Sequence, residues 1–337
     1  MHLKMNQDGV LVLAPAKINL HLEILQKRSD GYHEIETIMH SVNLYDTIQV
    51  CPRDDGNVTL ELHTPAERAN ESSSIGLDPH QIDPAQIDPA WLIPADATNL
   101  VVRGLLKLRE LLGISSGAHV RLTKTIPAAA GLGGGSSDTA AALTAASLVW
   151  LGRFERTAVE TVASQIGSDL SFFLGSATSK ESGLALCRGR GEQVTPLQLN
   201  GTLHGVIAHP PAGCSTADVY RKCRVPETPR SPEKLVCALA EGKFDELPHL
   251  VFNRLEEAAS QVTPWVGQLR DWMEKSSAWT HQLSGSGSAR FALCRNETEA
   301  NQLAKDLQAS GLPRVHVWQS CMTPAIEAQT RLGIASQ

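Results

Sequence analysis

The chain has 337 residues, 42% hydrophobic and 20% charged, enough apolar material for two domains or one large one. Its formal net charge of −6, with no cluster of Lys and Arg, argues against nucleic acid or an anionic membrane as the main partner and for small molecules. Seven scattered cysteines without a C-x-x-C pair suit a reducing compartment, and no apolar run approaches a signal core or a membrane span, which predicts a cytoplasmic protein.

Residues 10–25 alternate. Ile18, Leu20, Leu22 and Ile24 fall on one side and Lys17, Asn19, His21 and Glu23 on the other, the period of a strand with one buried face. Pro15 removes a ladder donor ahead of Lys17 and predicts an edge or bulge that lets the lysine face a cleft. Residues 28–31, Arg-Ser-Asp-Gly, predict a tight turn. Tyr32 and His33 follow it directly, a pair suited either to reading a planar ring by stacking or to plain packing at a core edge. Residues 36–50 continue as strand. Residues 64–98 are rich in Pro, Asp, Ser and Asn and repeat Q-I-D-P-A at 81 and 86, which predicts a surface insertion without chemistry. Asn99 as cap, Leu100, Leu105, Leu108 and Leu112 at helical intervals, and Gly113 as stop predict a helix.

Residues 126–142 read I-P-A-A-A-G-L-G-G-G-S-S-D-T-A-A-A. Gly131, Gly133, Gly134 and Gly135 open backbone conformations closed to other residues and leave amide N–H groups uncovered. Ser136, Ser137 and Asp138 are good N-caps for the Ala-rich helix expected from Thr139 to Trp150, so free amides and the positive helix end meet at the glycines, a site for phosphate. The lysine of a Walker A loop is missing. The dinucleotide fingerprint fits poorly too, because Ser136 stands where its third glycine belongs and residues 119–126 alternate like a half-exposed antiparallel strand.

A second helix is expected over 156–165, followed by Gly167-Ser168-Asp169 at the head of an apolar segment. There Asp169 is either a base in a partly desolvated setting or an ordinary cap. Residues 188–192, R-G-R-G-E, predict a mobile basic turn or exposed hairpin. A strand is expected at 205–209 and a loop from His209 to Thr216, ahead of the segment Ala217 to Lys222. Residues 283–294 form a second Gly-Ser loop entering a strand; with a helix at 297–309 and a strand at 315–319 they predict a βαβ unit, and residues 322–332 a closing helix.

In this order, Pro15-Ala16-Lys17-Ile18-Asn19-Leu20, R-S-D-G-Y-H at 28–33, the loop from Pro127 through Gly131-Leu132-Gly133-Gly134-Gly135-Ser136-Ser137, G-x-D at 167–169 and G-S-G-S at 285–288 resemble the GHMP kinase superfamily. Within it they are most similar to the branch whose acceptor alcohol carries a cytidine diphosphate. The resemblance implies a two-domain α+β fold: an N-terminal domain similar to ribosomal protein S5 domain 2 (residues 1–198, carrying the insertion) and a ferredoxin-like C-terminal domain (199–337), with the site between them. It implies ATP on the glycine loop with Mg²⁺, Asp169 as proton acceptor and Lys17 orienting it. Asn19, Tyr32, His33, Thr216 and Tyr220 would lie around the substrate, and Asn99 and Lys124 on the nucleotide side. The usual proline two residues after the aspartate is Ser171 here. Homoserine or mevalonate kinase chemistry, or nucleotide binding without catalysis, are the alternatives on the same scaffold; a monomer or weak homodimer is expected.

Overall fold

The computed structural model describes residues 1–64, 91, 93–178, 183–312 and 314–321. The Q-I-D-P-A repeat and the closing helix expected at 322–332 lie outside them. Strand β1 (His2–Asn6) turns into β2 (Gly9–Lys27), which runs antiparallel to β3 (His33–Arg53). The turn between β2 and β3 closes with Arg28 N–H on Tyr32 O at 2.8 Å. Gly31 supplies its positive φ of 86°, and the Asp30 carboxylate accepts Tyr32 N–H at 3.1 Å. Next come β4 (Val58–His63), helix α1 (Leu100–Leu112), β5 (Gly117–Thr123), α2 (Gly134–Leu151), α3 (Arg156–Ile166), α4 (Asp169–Thr178) and the hairpin of β6 (Leu184–Gly189) and β7 (Gln193–Pro196). The first sheet has the order β1-β2-β3-β5-β4, with β6 on β3 and β7 on β6. Asn99 and Gly113 bound α1 as expected, the Asn side chain taking Val101 N–H and the Gly at φ 64°.

Helix α2 is the centre of the first core. Ala140, Ala141, Ala142, Ala145 and Ala146 are fully buried, small enough to let the helix lie close to β2 and β3 while α1 and α4 flank it. The second half holds β8 (His204–Ala208), helices α5 (Thr216–Lys222) and α6 (Glu233–Glu241), β9 (Phe252–Asn253), α7 (Trp265–Glu274), β10 (Thr280–Leu283), β11 (Arg290–Cys294), α8 (Glu297–Ala309) and β12 (Val315–Gln319). Its sheet runs β10-β11-β8-β12. The expected βαβ unit is therefore split: β8 pairs antiparallel with both β11 and β12 and stands between them.

The two halves are joined at β2. Val10, Val12 and Ala14 belong to the core with α2, whereas Ala16, Ile18 and Leu20 pack with Ile207, Phe291 and Trp318 of the second half. The change coincides with a register shift between Pro15 and Ala16, the irregularity Pro15 predicts. Short β9 adds parallel to β2 at His21 and Leu22. With both faces of β2 covered, its polar row does not face solvent: Lys17, Asn19, His21 and Glu23 are all buried, which corrects the expectation of a strand with one buried face.

Candidate active site

Pro15 and the gap in pairing beyond Leu13 leave an open edge on β2, and the glycine loop fills it. Lys17 N–H donates to Leu132 O at 2.9 Å. The Lys17 side chain, 4% exposed, runs beneath the loop, and its ammonium donates to Asn19 Oδ1 at 2.6 Å and to Gly131 O at 2.7 Å. Burial pushes its pKa below the ordinary lysine value, while the carboxylate of Asp169 and the thiol of Cys187 pull it back up. The second Gly-Ser loop closes the other side, with Ser284 Oγ donating to Gly131 O at 2.9 Å. A Cβ on Gly285 would stand 3.0 Å from Lys17 Nζ, and one on Gly133 3.0 Å from both Lys17 Cγ and Phe173 Cζ. Glycine at 133 and 285 is what lets the two loops close on this lysine.

The loop delivers its amides to the start of α2. Gly133, at φ 72°, is the N-cap, and no side chain caps the helix. That corrects the reading of Ser136, Ser137 and Asp138 as caps: α2 begins at Gly134, so all three stand within its first turns. Uncapped amides and the positive helix end stay available to an anion. Gly135 is exposed, Gly131 and Gly133 half-buried, and Pro127, Leu132 and Gly134 buried. Ser137 Oγ is buried without a hydrogen-bond partner among the described residues.

Lys124 lies beneath this helix end. Its ammonium bridges the buried carboxylates of Asp46 and Asp138, 2.7 Å from the latter. Asp46 Oδ1 accepts Thr125 N–H at 2.5 Å and Ile126 N–H at 2.8 Å. Burial opposes the Lys124 charge, and Asp138 and Asp46 offset it, leaving its pKa above the ordinary value. Burial and the charge of Asp46 hold the Asp138 carboxyl well above the usual carboxylate range. The triad sets the path of residues 124–126 into the loop. Asn99 is similarly engaged: its Oδ1 takes Val101 N–H at 2.9 Å and its Nδ2 donates to Pro94 O at 2.7 Å.

Asp169 opens α4 and is half-buried. Ser136 approaches the segment before it, with Ser136 Oγ 4.0 Å from where a Gly167 Cβ would stand, and the R-G-R-G-E hairpin approaches Asp169 from above: a Gly191 Cβ would stand 3.6 Å from Asp169 Oδ1. The Asp169 charge reaches three groups, Lys17, Cys187 and Tyr220. Lys17 and Asp169 thus share one electrostatic environment without a direct ion pair among the described residues.

On the same side His33 and Tyr220 meet ring to ring at 5.4 Å with planes tilted by 40°. Burial first, then Asp169 and Cys223, raises the Tyr220 phenol pKa, and burial and Lys27 lower that of His33. Tyr32 points outward, 57% exposed, with the Arg190 guanidinium 5.1 Å from its ring centroid. The basic turn is therefore seated on an aromatic ring. Thr216 Oγ1, at the start of α5, lies 2.8 Å from Ser286 Oγ of the second loop.

Sequence reading missed Thr37, Asp46 and Asn253, and placed Ser284 in the second Gly-Ser loop without giving it a role of its own. Asn253 Nδ2 clips the second loop through Leu283 O at 2.9 Å and Gly285 O at 2.8 Å. A polar residue on the inward row of β3, opposite Leu22, is the signal that marks Thr37; Asp46 and Asn253 carry none.

The family model for the GHMP kinases N terminal domain matches residues 99–176 and that for the GHMP kinases C terminal domain residues 235–312. A relative from Rhodopirellula baltica, named 4-diphosphocytidyl-2-C-methyl-D-erythritol kinase, is 33% identical over 92% of this chain and 95% of its own length. One of the same name from Thermobifida fusca is 34% identical over 90% and 92%. A crystal structure of 4-(cytidine 5'-diphospho)-2C-methyl-D-erythritol kinase superposes with a TM-score of 0.67 at 30% identity, covering 92% of this chain and 98% of that one. Homoserine kinase from Cytophaga hutchinsonii shares the fold at 19% identity, with a TM-score of 0.65. The chain belongs to the GHMP kinase superfamily, in the same family as these 4-diphosphocytidyl-2-C-methyl-D-erythritol kinase relatives.

Proposed function

We propose that the chain transfers the γ-phosphoryl group of ATP to the 2-hydroxyl of 4-diphosphocytidyl-2-C-methyl-D-erythritol, a step of isoprenoid precursor biosynthesis by the non-mevalonate route. The observation that carries the proposal is the Lys17 ammonium, fixed on Asn19 Oδ1 and Gly131 O, within electrostatic reach of Asp169 at the uncapped end of α2. Phosphoryl transfer asks for in-line positioning and stabilisation of charge and little covalent help, which backbone amides, one cation and one base supply. The domain division at 198/199, in the linker between β7 and β8, is part of this reading.

ATP is the donor; its phosphates lie against the amides of Gly131 to Ser137, with Pro127, Asn99 and Lys124 shaping that side. The uncapped helix end and the cradle that a Cβ on Gly133 would fill both fit a polyphosphate. Mg²⁺ would be held at that helix end, where Ser137 Oγ and Asp138 Oδ1 are buried side-chain oxygens without a hydrogen-bond partner among the described residues. When bound, the ion supplies neutralisation of phosphate charge. On the acceptor side, His33, Tyr220 and Tyr32 hold the cytosine, Arg190 adds a cation on the face of Tyr32, and Asn19 and Thr216 lie along the rest of the molecule. Asp169 takes the proton of the 2-hydroxyl as its oxygen bonds to the γ-phosphorus and the bond to the leaving ADP breaks. Lys17 balances the charge that develops on the equatorial oxygens.

A coupled ADP-release assay tests the proposal, comparing the cytidine diphosphate substrate with homoserine and mevalonate. Turnover with the cytidine compound alone is the expected result. Equal or faster turnover with either small acid sinks the assignment.

A further inference from the structure

The Lys17 ammonium has only N–H donors, so the Asn19 group 2.6 Å from it must be the amide oxygen. That orientation leaves Asn19 Nδ2 facing Thr37 Oγ1 at 2.8 Å. Thr37 Oγ1 stands 2.6 Å from His21 O, a carbonyl that can only accept, so the single hydroxyl proton of Thr37 is committed there. Its oxygen is left with lone pairs alone to offer Asn19, which again requires Nδ2. Proton accounting from the two ends of the chain gives the same amide orientation.

All the side chains in this relay are buried, and β2 and β3 fix their backbones, Thr37 lying opposite Leu22 on one side and Cys187 on the other. We propose that Thr37 is a positioning residue for the transfer reaction: its hydroxyl locks the Asn19 amide with the oxygen toward Lys17 and so fixes where the ammonium stands beneath the glycine loop. The proposal rests on the kinase reading for its effect on turnover, and on geometry alone for its effect on Lys17.

The test is competitive labelling of the Lys17 amine with acetic anhydride across pH, read by mass spectrometry, alongside steady-state kinetics of the full chain. Thr37→Val keeps the shape and loses both hydrogen bonds. The Asn19 amide is then released, the ammonium loses a fixed acceptor that favours its charged form, and the labelling midpoint moves to lower pH by about one unit. In the assay kcat falls about tenfold, KM for ATP stays within about twofold, and the alkaline limb of the rate profile shifts the same way as the labelling midpoint. Thr37→Ser restores the hydroxyl and returns both readouts to the wild-type values.

An unmoved labelling midpoint in folded Thr37→Val overturns the proposal, as does a shifted midpoint in Thr37→Ser, which also decides the matter if the valine variant does not fold. Labelling does not depend on turnover. A wild-type protein inactive on the cytidine substrate would therefore count against the function while leaving the relay to be judged by the midpoint.

Discussion

The ammonium of Lys17 donates to the carbonyl of Gly131, 2.7 Å away and 114 residues along the chain. The contact ties the strand through both halves of the molecule to the loop that starts the central helix. It also joins a cation to the place where an anion is expected. The same carbonyl receives Ser284 Oγ, so both glycine loops and the lysine are fastened at a single oxygen.

The fastening leaves no room for a side chain at residue 133. Gly133→Ala puts a methyl 3.0 Å from Lys17 Cγ and Phe173 Cζ at a φ of 72°. It is expected to cost about 1–3 kcal/mol of stability and to raise KM for ATP more than tenfold. Gly113→Ala is the control: φ is 64° with nothing within 4 Å, so backbone strain alone applies and ATP titrations match the wild type.

Removing the Lys124 charge strands two buried carboxylates. Lys124→Met is expected to lose about 3–5 kcal/mol in urea unfolding, because Asp46 and Asp138 are left facing each other without their counter-ion. A loss below about 1 kcal/mol would show that the triad does not hold the loop.

Tyr220→Ala removes the ring that meets His33, and Tyr32→Ala the ring beneath Arg190. Each is expected to weaken the cytidine substrate by about 1–3 kcal/mol, seen as a rise in its KM with kcat and KM for ATP little changed. Unmoved KM values would place the base elsewhere.

The fold should lose stability in acid. Burial holds His21 and His40 down to about 4, and burial with His316 and Arg314 holds His209 down to about 3. Unfolded histidines take up protons from about pH 6.5 downward while these stay neutral, so the unfolded state binds more protons and stability falls with falling pH across that window. By pH 5 each histidine costs about 2 kcal/mol, and melting temperatures at pH 7.5 and 5 should differ clearly. A melting curve indifferent to pH between 7.5 and 5 would contradict the burial of these rings.

Local grammar made the elements legible. The Asn99 cap, the Gly113 stop, the turn at 28–31, the irregularity at Pro15 and the strand after the second Gly-Ser loop all depend on a few adjacent residues, and they stand where the sequence puts them. The exact helix start did not follow, since three good capping residues in a row are overruled once the glycines themselves enter the helix. Lys17 was legible as a polar residue on a strand; that its row is buried depends on a second sheet more than 180 residues away. Asp46 left no mark, because its partners lie 78 to 80 residues ahead.

Phosphoryl transfer at this site depends on Asp169 taking a proton beside Lys17, and Asp169→Asn measures that most directly. The amide keeps the shape but cannot accept the hydroxyl proton, so kcat should fall by about a thousandfold or more while ATP binding in equilibrium titration stays within about twofold. Turnover within a few-fold of wild type, in a protein that still binds ATP, would contradict it.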